Sequence, residues 1–178
     1  QLIEEHAVRL VVTDYDLTEQ GLLGLFGTTI VDWCQTQGVP VGDFSRGNNQ
    51  RSLPQEPNLF ELRVPVNSDH EAATYVNGLD RGFAQIREHL DKDVSLVKQK
   101  SPSSALAVLL GARGMESQFS QYGTRYGGAN SSLIERIVHP AKKDSEEKRL
   151  LLAYIMGHLL VNAVLRFPGP IMSGEALV

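Results

Sequence analysis

Apolar and polar positions follow two periods along this chain, and the changes between them predict its elements. Residues 8–13, VRLVVT, form a short branched run that ends at polar residues, the pattern of a buried strand. Leu22, Phe26, Ile30, Trp33 and Cys34 then recur at helical spacing, which predicts a helix with Trp33 and Cys34 on its apolar face, closed by Gly38. Residues 39–58 are rich in Gly, Pro, Asn and Ser and read as an exposed loop of about twenty residues, long enough to suggest a functional one. Residues 59–66, LFELRVPV, alternate as a strand does, and Pro65 favours an edge position or the strand's end.

Ser68-Asp69-His70-Glu71 has the form of a capping box. Behind it Ala72, Tyr75, Val76, Leu79, Phe83, Ile86 and Leu90 are spaced 3, 1, 3, 4, 3 and 4, the clearest amphipathic helix in the chain. VSLVKQK, residues 94–100, reads as a third strand. Ser101-Pro102 opens another helix, continuing through 106–119, with Pro where no amide hydrogen is needed. A second Gly-rich loop is expected over 121–132, then a short element over 133–138 stopped by Pro140. Asp144, Ser145, Glu146 and Glu147 start the last helix, their charge complementing its dipole, and Phe167-Pro168-Gly169-Pro170 ends it.

The order β-α-β-α-β-α-α-α predicts an α/β fold: a small three-stranded parallel sheet covered by helices, with a helical C-terminal extension. A mixed sheet in an α+β arrangement is the alternative. At 178 residues, the expectation is a single domain over 1–178 that buries roughly two thirds of its unfolded surface. A composition 42% hydrophobic and 21% charged excludes disordered and fibrous classes.

Charge narrows the partners. A net charge of −4 lacks the basic excess that holds a protein to a phosphate backbone, so nucleic acid is not expected. The single cysteine, Cys34, rules out an internal disulfide and a thiolate-rich zinc site, which suits a reducing compartment and makes the cytoplasm the expected location. The chain begins without Met and carries no signal pattern, as a trimmed or processed chain would. Residues 150–167 are apolar nearly all round but interrupted by Gly157, His158 and Asn162; a buried or subunit-interface helix is expected there rather than a membrane span. His158 stands one turn from Tyr154 and from Asn162, a polar seam that suits a core hydrogen-bond network, a subunit contact or a catalytic base. The five histidines have no metal-ligand spacing, and Cys34 beside Trp33 reads as a packed thiol.

Ligands of open parallel sheets sit at the carboxyl ends of the strands. That edge is expected to collect Asp14 and Asp16, then Asn67, Ser68 and Asp69, then Ser101, Ser103 and Ser104, each group opening a helix whose N-terminus attracts anions. In the second Gly-rich loop Arg125, Gly127, Gly128 and Asn130 form a further candidate anion site. Asp16 or Thr18 also serves simply as a helix cap.

The stretch V-V-T-D-Y-D-L-T resembles the first motif of haloacid-dehalogenase-type phosphohydrolases, a hydrophobic strand followed by Asp-x-Asp-x-Thr. The resemblance covers about eight residues. It implies Asp14 as nucleophile, Asp16 as acid/base, both near Mg²⁺, with Ser68 and Lys98 or Lys100 as further motif residues. The family's later acidic pair has only Asp91 and Asp93 to match, and these precede the third expected strand. Asp69-His70 also touches the pattern of Asp-His-His phosphoesterases, departing from it at Glu71.

Two functions are therefore expected in order. The first is a non-catalytic binding or assembly subunit that oligomerises or docks a partner protein through its apolar C-terminal helix, with a small anionic ligand at its loops. The alternative is a small divalent-metal-dependent phosphohydrolase using Asp14 and Asp16.

Overall fold

The computed structural model describes residues 8–13, 27–44, 62–65, 68–127, 131–138 and 146–165. Its sheet has three parallel strands in sequence order: β1 (Val11–Thr13), β2 (Val41–Asp43) and β3 (Leu62–Arg63). Val12 stands beside Gly42, and Gly42 beside Leu62, so these three share one face. The helices are α1 (Gly27–Gln37), α2 (Asp69–Lys92), the single turn α3 (Val94–Val97), α4 (Pro102–Leu109), α5 (Glu116–Gly127), α6 (Ser131–Val138) and α7 (Glu146–Leu159), which runs on as a π-helix, Leu160–Leu165. The fold is the expected small α/β sheet with a helical C-terminal part.

Each face of the sheet is buried by a different helix set. On one, Val11, Val39 and Val41 meet Ile30, Val31 and Cys34 of α1. On the other, Leu10 and Leu62 meet Leu79 and Phe83 of α2 and Val161 beyond α7. The largest core lies beyond the sheet, where α2 to α7 enclose Leu90, Leu106, Leu152, Tyr154 and Met156. Helix α2 belongs to both cores, and its long apolar stripe ties the sheet to the helical body.

The local signals explain the elements they bound. Ser68 Oγ accepts from the Glu71 amide at 3.2 Å, capping α2 as the Ser-x-x-Glu pattern predicts. Gly38 closes α1 at φ +66° through the Val39 amide to Cys34 oxygen (2.8 Å) and the Gly38 amide to Gln35 oxygen (3.1 Å). Gly111 repeats this motif, also at φ +66°, and divides what reads as one helix over 102–119 into α4, a 3₁₀ turn (Arg113–Met115) and α5. Pro65 follows β3, which is an edge strand.

Three expectations are corrected. The loop expected over 39–58 contains β2, the central strand; Gly42 is needed because a Cβ there would stand 2.9 Å from Val64 Cγ2 and 3.3 Å from the Leu62 oxygen. The strand expected over 94–100 is the helical turn α3: Asp93 Oδ1 accepts from the Ser95 amide at 2.8 Å, and adjacent Leu96 and Val97 both enter the core. A strand would send adjacent side chains to opposite faces. The Gly-rich loop expected from 121 is still helical through Gly127, with Gly123 facing Leu159 of α7.

The last helix is the centre of the helical core. Residues 146–165 are long and apolar enough to cross a membrane, yet 67% of their qualifying 18-residue window is buried by the chain's own helices. Gly157 allows the closest approach: a Cβ there would overlap the Phe83 ring of α2.

Candidate functional site

At the carboxyl edge of the sheet the structure divides the expected site residues. Asp14 and Asp16, like Gly128, lie outside the described residues. Ser68 and Asp69 follow β3 at the start of α2, where the Ser68 hydroxyl accepts from the Glu71 amide and Asp69 is exposed in the first turn. Ser101 does not join them at a strand end, because the segment before it is α3 rather than a strand. Its hydroxyl caps α4, accepting from the Ser104 amide at 3.1 Å, while the buried Ser104 hydroxyl bonds Gln99 Oε1 at 3.1 Å. Arg125 and Gly127 belong to α5 rather than to a loop, and Arg125 is exposed on it.

The other singled-out residues have structural surroundings. Asp91 pairs with Arg149 at 3.4 Å and Asp93 caps α3. His158 is fully buried, its Nδ1 2.8 Å from the Tyr154 carbonyl oxygen, with the rings of Tyr154 and Phe83 at 4.3 and 5.3 Å. Cys34 is also fully buried, and burial pushes its thiol up to about 11, away from the thiolate a nucleophile needs. Trp33, expected on the apolar face, is 42% exposed on the outer side of α1, since Val31, Cys34 and Gln35 already take the inner side. Among the described residues no three His, Cys, Asp or Glu side chains gather as metal ligands.

Charge gathers instead at the opposite end of the sheet, where Arg9, just before β1, meets the C-terminal half of α2. Asp80, Ala84, Arg87 and Asp91 lie on one stripe of that helix, four, three and four residues apart, beside the apolar stripe that carries Phe83. With Arg9 they line a cleft of about 290 Å³ whose wall is chiefly apolar. Glu88 and Lys92 complete its rim.

Each carboxylate of this cleft is matched with a cation, two of these cations lining the cleft and one standing outside it. Arg9 Nη2 stands 2.7 Å from Asp80 Oδ2, Lys92 pairs with Glu88 one turn away, and Arg149 of α7 reaches Asp91. Arg87 is the third lining cation and makes no ion pair or hydrogen bond among the described residues. Half-buried, its guanidinium is held below the ordinary arginine range, first by desolvation and then by Arg9, with Asp80 and Asp91 opposing. This stripe was legible as charges at helical spacing; the arrival of Arg9 was not.

A second cleft of about 270 Å³ lies where α1, α6 and α7 meet. Its guanidinium is fully engaged: Arg136 donates to Glu147 Oε1 through Nε at 3.1 Å and to the Thr36 carbonyl through Nη1 at 2.9 Å. Those bonds tie three helices together and match the cation of this cleft; the other charge in its lining, Glu146, is a carboxylate.

No protein family, curated protein or solved structure matches this chain.

Proposed function

We propose that the protein is a non-catalytic binding module that holds a small anionic ligand in the cleft between Arg9 and the second half of α2. The observation that carries this reading is Arg87, a half-buried guanidinium in the cleft lining that makes no ion pair among the described residues, where Asp80, Glu88 and Asp91 are each paired with another cation. A charge held partly out of water without a partner is costly, and an anion entering the cleft removes that cost. A guanidinium suits binding rather than proton transfer, since it stays protonated through the neutral range and offers five donors in a fixed fork.

The apolar surface of α7 is largely spent inside the fold, which leaves little of it for the partner contact expected there. The test is thermal denaturation of the wild type and Arg87→Met in chloride buffer with acetate, benzoate or phosphate added. A rise in melting temperature with at least one anion, lost in the variant, supports the reading; equal responses of the two proteins refute it.

A further inference from the structure

The cleft also specifies the kind of anion, an inference that rests on the binding reading above. Arg9, Arg87 and Lys92 line it with Asp80, Glu88 and Asp91. Arg9 and Lys92 pair with Asp80 and Glu88, Asp91 pairs with Arg149 of α7, which is not a lining residue, and among the described residues Arg87 is the lining cation without an ion pair. A ligand with a single negative charge matches that one guanidinium. A phosphate ester carries about −1.5 to −2 at neutral pH and would set its excess against Asp80, Glu88 and Asp91. The planar guanidinium fork matches a carboxylate through two parallel N–H···O bonds.

The rest of the cleft suits something other than charge. Its floor is formed by Phe83 and Ala84, and its wall is chiefly apolar. Phe83 is 5% exposed, seated in the notch at Gly157 and set edge-on to His158, so the floor exists before a ligand arrives. A volume of about 290 Å³ holds roughly ten water-sized groups. That leaves room beside a carboxylate for a ring-sized apolar body.

From this unpaired guanidinium, the floor and the volume we infer that the ligand is a small monocarboxylate on an apolar, ring-sized body. Its carboxylate meets Arg87 and its body covers Phe83 and Ala84. The side chain at position 84 sets the depth, so a longer residue there excludes the body while leaving the cations in place.

Calorimetric titration of the wild-type protein with benzoate, acetate, benzamide, phenyl phosphate and inorganic phosphate tests this. Benzoate is expected to bind at least about tenfold more tightly than each of the other four. Arg87→Lys should weaken benzoate by about tenfold, because the charge survives but the fork is lost. Ala84→Met should weaken benzoate more than acetate. Circular dichroism of both variants checks that the fold is kept, and each variant stands as an independent test. Phosphate or phenyl phosphate binding as tightly as benzoate overturns the monocarboxylate assignment while leaving an anion cleft. Acetate equal to benzoate overturns the apolar body alone. Benzamide equal to benzoate, or no binding by any of the five, overturns the binding reading itself.

Discussion

Alanine at Gly157 places a methyl group inside the ring of Phe83. The added Cβ would stand 2.6 and 2.7 Å from Phe83 Cδ1 and Cζ, and closer still to Cε1, where carbon atoms at rest keep about 3.5–4.0 Å. Helices α2 and α7 must therefore part by roughly 1 Å, or the ring must leave its rotamer. Overpacking of this kind costs about 1–3 kcal/mol, and the tight contact argues for the upper part of that range. Alanine returns about 1 kcal/mol through its helix propensity, so a net loss of about 2 kcal/mol is expected. For a chain of 178 residues this lowers the melting temperature by roughly 4–8 °C.

The decisive measurement is a double-mutant cycle by urea denaturation. Phe83→Ala alone should cost about 3–5 kcal/mol as the cavity opens. In that background Gly157→Ala should reverse sign and stabilise by about 1 kcal/mol, giving a coupling near 3 kcal/mol. An alanine at 157 that is harmless in the wild type, or equally costly in both backgrounds, would refute the close crossing of the two helices.

Three further outcomes follow from other positions. Arg87→Met should leave stability unchanged or raise it by up to about 1 kcal/mol in urea, because it removes a half-buried charge repelled by Arg9; a loss above about 1 kcal/mol would mean that Arg87 supports the fold. Burial raises the Cys34 thiol from 9.0 to about 11, so below pH 9 both folded and unfolded chains keep the proton, and between pH 9 and 11 only the folded chain does. Stability should then fall by about 1.4 kcal/mol per pH unit across that window beyond any loss seen in Cys34→Ala; identical alkaline profiles of the two proteins would contradict it. Ser68→Ala should cost about 1 kcal/mol by chemical denaturation and Ser68→Asp almost nothing, since either Ser or Asp accepts the Glu71 amide; equal effects would remove the capping role.

What the sequence determined by itself lies within a few residues of its own signal. β1, the glycine closure of α1, the capped amphipathic α2 and the edge position before Pro65 were all legible, because caps and helical stripes act through neighbours three to five residues apart. β2 was not: Gly and Pro mark loops locally, and only the approach of Val64 and Leu62 shows why a glycine belongs in the middle of a sheet. A run such as VSLV fits a strand or a helical turn until the cap at Asp93 and burial of both Leu96 and Val97 decide. The same division holds for the candidate site. Asp80, Ala84, Arg87 and Asp91 share a stripe by spacing alone, yet Arg87 is left without an ion pair among the described residues because the fold brings Arg9 to Asp80 from 71 residues away and Arg149 to Asp91. Charge balance is summed through space, and neither the partners of a charge nor the depth of a cleft exists until distant segments meet.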